Sequence, residues 1–304
     1  MKKIWTPLRR IAVLLTFIAF IFSSVLMAQA PAAPTSLLWK VSGKGLKQPS
    51  YLYGTYHLVP SGYLPADGKV LQAFQASKGV IVEIDADSTA MQQAGMQAFM
   101  PNNKLSELIA AQDYGLVSDE LKATIGYDLK LFEQVKPITV SLMLSVTYGQ
   151  EAAPWLKDYQ GLPLDAYFVA EGKRTRKNIL ALESVEEQMQ LLYQNETLEK
   201  QASDLVKIVR EKDAMRQLSA DIINNWKSEN IDQMAAVSVA MMDEFGGQDD
   251  LLDNRNMRWM DILPKQFKKG SQFMAVGALH LVGDKGIINL LREKGYTVEP
   301  VIGK

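Results

Sequence analysis

The chain holds only two histidines, His57 and His280, and each closes the same local frame, Gly-x-x-His, with Gly54 and Gly277 as the glycines. Imidazole is the side chain whose ordinary pKa lies nearest neutrality, so it serves as acid, base or ligand to a divalent metal. A glycine three residues earlier lets the backbone bend, or approach a ligand closely, where a strand leaves its sheet. Both histidines follow apolar runs, Tyr51–Tyr56 and Met274–Leu279, and two glutamates end similar runs: Glu83 after Val80-Ile81-Val82 and Glu183 after Ile179–Leu182. Ligands of open α/β sheets sit beyond the carboxyl ends of the strands, so if these four strands are parallel the four polar residues gather on one rim. Taken singly, a histidine at a strand end is more often a packed structural residue. The matched frames favour one shared site.

His57, His280 and Glu83 make a two-histidine, one-carboxylate set of the kind that holds a transition metal with open positions. Glu183 or Glu83 is then a candidate general base. Arg255, in Asp253-Asn254-Arg255-Asn256, is a candidate to neutralise a substrate carboxylate or a developing oxyanion, the alternative being an exposed helix charge. Tyr53 and Asn256 are candidates for substrate contact, and Gly283, in the turn Gly283-Asp284-Lys285-Gly286, joins Gly54 and Gly277 as a structural glycine. Two histidines cannot make an H-E-x-x-H pair on top of this frame, and the sequence has neither a G-x-S-x-G elbow nor a P-loop. The absence of cysteine removes disulfides, thiolate nucleophiles and cysteine-based zinc sites.

The elements that must position these residues are legible in outline. Leu38–Ser42 and Ser50–His57 read as a hairpin around Gly43-Lys44-Gly45 and Pro49, and Gly79–Asp85, Asn178–Glu183, Gln272–His280 and Tyr296–Ile302 as further strands. Ser184 and Glu187 form a capping box at a helix start. Helical patterns fill the intervals between the strands, with Pro101, Pro137 and Pro154 as breaks. The expectation is an α/β chain, with α+β as the alternative. It would have a central mixed sheet and two large helical insertions, at about 88–175 and 184–268, forming a cap. Strand order is not legible. Met91, Met96, Phe99 and Met100, then Met234, Met241, Met242 and Phe245, fall at helical spacing and are expected in the core.

Lys2, Lys3, Arg9 and Arg10 precede the apolar run Ile11–Met27 and then Ala28-Gln29-Ala30, the three-part layout of a secretory signal. Cleavage after Ala30 makes residues 31–36 a linker and 37–304 a single domain, exported to the periplasm or secreted; an uncleaved N-terminal anchor is the alternative. No second span follows residue 30. Without the four leader cations, 29 of the 33 basic residues face 34 acidic ones, a net charge of −5. A mildly acidic chain with no basic stripe is a poor nucleic-acid binder.

Several blocks occur in a telling order: Leu38-Trp39-Lys40-Val41, Tyr51–Pro60, Val82-Glu83-Ile84-Asp85, Leu164-Asp165-Ala166-Tyr167-Phe168, Ala181-Leu182-Glu183 with Glu187-Gln188, Arg255-Asn256, and Val276–Gly283 with Gly286 and Gly295–Val298. In this order they resemble the TraB/GumN family, also called TraB/PrgY/GumN, over nearly all of the chain after residue 36. The resemblance implies similarity to the animal Tiki proteins, membrane-tethered metalloproteases with two Gly-x-x-His motifs and an acidic residue. More distantly it implies a fold like those of the erythromycin esterase EreA and of ChaN. It implies His57, His280 and Glu83 as the site, with Glu183 and Arg255 in support. The expectation is a metal-dependent hydrolase of the cell envelope using Mn, Co or Zn, a peptidase acting on a peptide or other small substrate. Two alternatives stay open: a metal-free ester hydrolase with His57 or His280 as base, and a periplasmic protein that binds a peptide or glycan without turnover. Substrate identity and oligomeric state are not legible.

Overall fold

Gly43, Lys44 and Gly45 all have positive φ, a left-handed run that two glycines make cheap, and it reverses the chain between β1 (Leu38–Ser42) and β2 (Ser50–Thr55). The computed structural model describes residues 35–85, 88–245 and 252–303. The expected signal, residues 1–30, lies outside them, as do residues 31–34 of the expected linker. Ser36, the linker's last residue, is part of the fold: it is fully buried, and its hydroxyl donates to the Val301 carbonyl (2.9 Å) and to Glu229 Oε2 (3.0 Å).

Four further strands complete one six-stranded mixed sheet: β3 (Gly79–Val82), β4 (Asn178–Ala181), β5 (Gln272–Gly277) and β6 (Thr297–Pro300), in the order β4-β3-β5-β2-β1-β6. β1 pairs antiparallel with β2 and β6, whereas β2, β5, β3 and β4 run parallel. The inner strands β3 and β5 are covered on both faces, which is why they read as unbroken apolar runs rather than alternating ones. Tyr53, Phe74, Phe168 and Phe273 pack edge-on or tilted, with centroids 4.8–6.1 Å apart, and seat the helices Lys69–Ala76 and Leu164–Arg174 on the sheet.

A second core stands apart from the sheet. Leu105, Leu121, Val140, Leu144, Tyr148, Leu205 and Val209 bring together helices from both inter-strand stretches, among them Ala111–Ile125, Pro137–Ala152 and Leu198–Arg210. The helix Lys212–Lys227 serves both cores: Met215 packs in the helical one, Ile222 and Trp226 in the sheet's. The methionine expectation is corrected in part. Met100 and Met234 are buried, but Met91, Met96 and Phe99 are more than half exposed. Helical spacing records a shared face, not what covers that face. Met241, Met242 and Phe245 fall outside the described side chains.

Candidate functional site

The four parallel strands carry their terminal polar residues to one end of the sheet, and the two histidine strands, β2 and β5, are direct neighbours. Gly54 is required by close approach: a Cβ there would lie 2.9 Å from Ala278 Cα, in the 3-10 turn Ala278–His280 that follows β5. Gly277 ends β5, and its N–H donates to Glu83 Oε1 at 2.8 Å. Gly283 has φ +86°, the left-handed conformation that favours glycine in the turn after His280.

Arg255 is the hub of this end of the sheet. Its Nε donates to both oxygens of Glu183 (2.9 and 3.0 Å), its Nη2 to Glu83 Oε2 (2.7 Å), and its Nη1 faces His280 Nε2 at 3.0 Å. A guanidinium can only donate, so His280 Nε2 accepts and its proton sits on Nδ1. The other side agrees. Asn256 spends its amide N–H groups on the carbonyls of His280 and Lys285, and its Oδ1 accepts from His280 Nδ1 at 2.7 Å. Both ring nitrogens of His280 are thus engaged, and the residue is 3% exposed. Burial pushes its imidazole down to about 4, so it is neutral at ordinary pH.

Burial alone would raise Glu83, but its carboxyl lies at about 2. His280 attracts it only when charged, below about pH 4; Arg255, the Gly277 N–H and the His57 imidazolium hold it ionised above that. Gln188 Nε2 also donates to Glu83 Oε2 (3.0 Å). The helix that carries Gln188 starts at the capping box read from sequence: Glu187 N–H donates to Ser184 Oγ, and Ser184 N–H to Glu187 Oε2.

His57 is held differently. The loop after β2 is stitched to the segment before helix Leu164–Arg174 by Ser61 N–H to the Leu162 carbonyl and Leu164 N–H to the Val59 carbonyl. This sets Asp165, in the first turn of that helix, beside the loop, where the helix dipole favours its negative charge. Asp165 Oδ1 accepts from the Thr55 hydroxyl, and Oδ2 lies 2.6 Å from His57 Nδ1. That hydrogen bond pushes the His57 imidazole up to about 9, against the opposing effect of desolvation. The side chain is 73% exposed, so Nε2 is open to solvent.

His57, Glu83, Asp165 and Gln188 border a cleft of about 520 Å³, within the usual range of small-molecule sites. Its walls are largely apolar: Val82, Ile84, Met91, Pro163, Val169 and Ala170. The exposed Met91 thus belongs to a cleft wall.

Five positions differ from the sequence expectation. His280 does not line the cleft; it is buried against Arg255. Arg255 and Glu183 are buried in a mutual ion pair, with Trp259 Nε1 also donating to Glu183 (3.0 Å), so neither is presented as oxyanion donor or base. Asn256 is 1% exposed and holds His280 in place of a substrate. Tyr53 is buried and does not line the cleft. Polar residues at strand ends signal a polar network, and a network has inner members that never meet solvent. Asp165 and Gln188 were the residues missed. Both lie within the blocks that carry the family resemblance, which was the available signal.

Residues 37–300 match the TraB/PrgY/gumN family. The chain belongs to that family. Among curated proteins it is 26% identical over 326 residues to Metalloprotease TIKI2 of Danio rerio, covering 87% of this chain and 60% of the relative. It is 25% identical to Metalloprotease TIKI2 of Xenopus tropicalis and 24% to Metalloprotease TIKI1 of Danio rerio, over 87% of this chain and 59% and 63% of those proteins. The chain therefore spans about 60% of the length of these relatives. No solved structure matches it. No helix among the described residues is long and apolar enough to cross a membrane.

The relatives' name raises the question of a metal, and the donors here do not fit one as arranged. Among the described residues no three His, Asp or Glu side chains are placed to hold an ion. His280 has no open lone pair, and the Arg255 guanidinium already neutralises Glu83 at 2.7 Å, where a second cation would be repelled. His57 Nε2 is the one ring nitrogen of the two histidines that is open.

Proposed function

We propose that this chain is a hydrolase of the cell envelope, acting on acyl bonds of peptide-like substrates at the cleft bordered by His57. One observation carries the reading: His57 is held by Asp165 through Nδ1, its Nε2 is unbonded, and the residue borders a largely apolar cleft. A carboxylate that fixes the tautomer of an imidazole and stabilises its charged form makes it an effective base. Neutral His57 takes a proton from water at Nε2 as the water oxygen attacks the carbonyl carbon. Asp165 steadies the imidazolium, which returns the proton to the departing nitrogen or oxygen as that bond breaks. The apolar wall takes a hydrophobic side chain next to the bond. Family membership and the kinship with proteins named metalloproteases support hydrolysis of peptides in particular. The leader-like residues 1–30 support export.

The relatives' name also supports a metal-dependent version. In that reading His57, Glu83 and His280 would hold the ion, which would polarise the carbonyl and activate water, and Glu83 and His280 would have to give up their bonds to Arg255. Elemental analysis of purified protein, followed by a peptide and ester cleavage screen with chelator and with added Mn, Co or Zn, separates the readings. Turnover that resists chelator and disappears in His57→Ala supports the dyad. Stoichiometric metal with chelator-sensitive turnover supports the metal. Binding of peptides without turnover under any condition overturns both in favour of a binding protein.

A further inference from the structure

A second cavity, of about 570 Å³, shares no lining residue with the His57 cleft. Tyr53, Tyr63, Tyr159, Trp226, Lys69 and Glu229 are among its walls. Tyr63 anchors an aromatic cluster, with ring centroids 5.2 Å from both Trp155 and Tyr159 and 5.5 Å from Trp226. Trp226 spends its N–H on the Gly54 carbonyl (3.0 Å), so it offers the cluster only its ring.

Two polar groups border this cavity with hydrogen-bonding capacity to spare. Tyr53 is 2% exposed, yet its hydroxyl has no hydrogen-bond partner among the described residues. The ring is buried and the hydroxyl borders the cavity; burial raises its pKa, so it stays a neutral donor and acceptor. Glu229 has φ 55°, in the turn that ends helix Lys212–Lys227, a position where glycine is favoured. Its Oε2 takes Lys69 Nζ (2.6 Å) and Ser36 Oγ, while Oε1 has no partner among the described residues.

We propose that this cavity binds a neutral, hydroxyl-bearing ring of the size of a single pyranose sugar. The lining carries two acids, Asp67 and Glu229, and two bases, Lys69 and Lys227, so it asks for no net charge. A purely apolar ligand would leave the Tyr53 hydroxyl and Glu229 Oε1 dry and unpartnered. A sugar ring supplies both needs, C–H faces for the Tyr63 and Tyr159 rings and hydroxyls for the two oxygens.

The test is calorimetric titration of the full protein with glucose and with N-acetylglucosamine, beside toluene and tyramine as apolar and cationic probes. Saturable binding of a sugar is expected. Tyr53→Phe, which removes only the hydroxyl, should weaken it about fivefold to tenfold. Tyr159→Leu, at a half-buried wall residue, should weaken it as well, and His57→Ala should leave it unchanged. Melting curves of the variants check that each is folded. No saturable sugar binding, equal binding by wild type and both pocket variants, tighter binding of toluene or tyramine, or loss in His57→Ala would each overturn the proposal.

Discussion

Arg255 Nη1 caps the Nε2 lone pair of His280 at 3.0 Å. The second histidine of the paired motif is therefore an inner member of the polar network, and its partner in the motif, His57, is the one that borders the cleft. The same guanidinium neutralises Glu83 and Glu183. Arg255→Met removes the guanidinium 2.7 Å from Glu83 and 2.9 Å from Glu183, two largely buried carboxylates, and should cost about 3–5 kcal/mol in a denaturant melt. In the variant Glu83 loses the cation that helps hold its carboxyl down, so part of the lost stability should return as pH falls and Glu83 takes a proton. Arg255→Lys should recover little, because a point charge cannot reach three partners at once.

The wild-type acid response should have the opposite sign. His280 is depressed from 6.5 to about 4, so the unfolded chain binds the proton first and stability falls as pH drops through that window. Glu83, at about 2 against an ordinary 4.5, adds a further loss below pH 4.5. A melting temperature that is flat between pH 6.5 and 4 would contradict the burial of His280.

His57 sets the alkaline side. Its pKa is raised from 6.5 to about 9, so its contribution to stability is complete below pH 6.5 and is lost as pH rises toward 9. As a base it must be neutral, so kcat/KM should climb through about pH 9. Asp165→Asn should move that limb to lower pH and lower its plateau about 10²–10⁴-fold. Imidazole proton NMR reads the same shift without any substrate.

Asn256→Ala removes the acceptor of His280 Nδ1–H inside a closed site. A loss of about 1–3 kcal/mol is expected for the unsatisfied donor, measured by thermal or denaturant melt. Ser184→Ala removes one half of the capping box and should cost about 1 kcal/mol. It should also loosen Gln188 from Glu83, visible as a rise in the Glu83 pKa by carboxyl NMR.

Much of this was legible in the residues. Short apolar runs bounded by turn residues marked six strands, the glycines marked the β1–β2 hairpin, and Ser184 with Glu187 marked a helix start, because each rests on local backbone chemistry. The placing of β5 between β3 and β2 was not legible, since it depends on how distant helices pack. Asp165 was hidden for a related reason. An acid in the first turn of a helix reads as a favourable charge at the dipole's positive end, and only the stitching of two loops brings it to His57. Conversely, Glu183 and Asn256 were legible as polar but not as inner, since residue type does not say which side of a network meets water.

Glu120 is buried among the helices of the second core, accepting from Tyr148 Oη (3.0 Å), Lys212 Nζ (2.6 Å) and Arg216 Nη2 (2.9 Å). Two of those donors sit at the start of helix Lys212–Lys227, and Trp226 near its end grips the Gly54 carbonyl, three residues before His57. One helix thus has its root in the helical lobe and its tip on β2, the strand that leads to His57. The lobe and the sheet should melt as a single cooperative unit. A lesion at the root, such as Glu120→Ala at about 2 kcal/mol, should speed amide exchange at β2 as well as within the lobe.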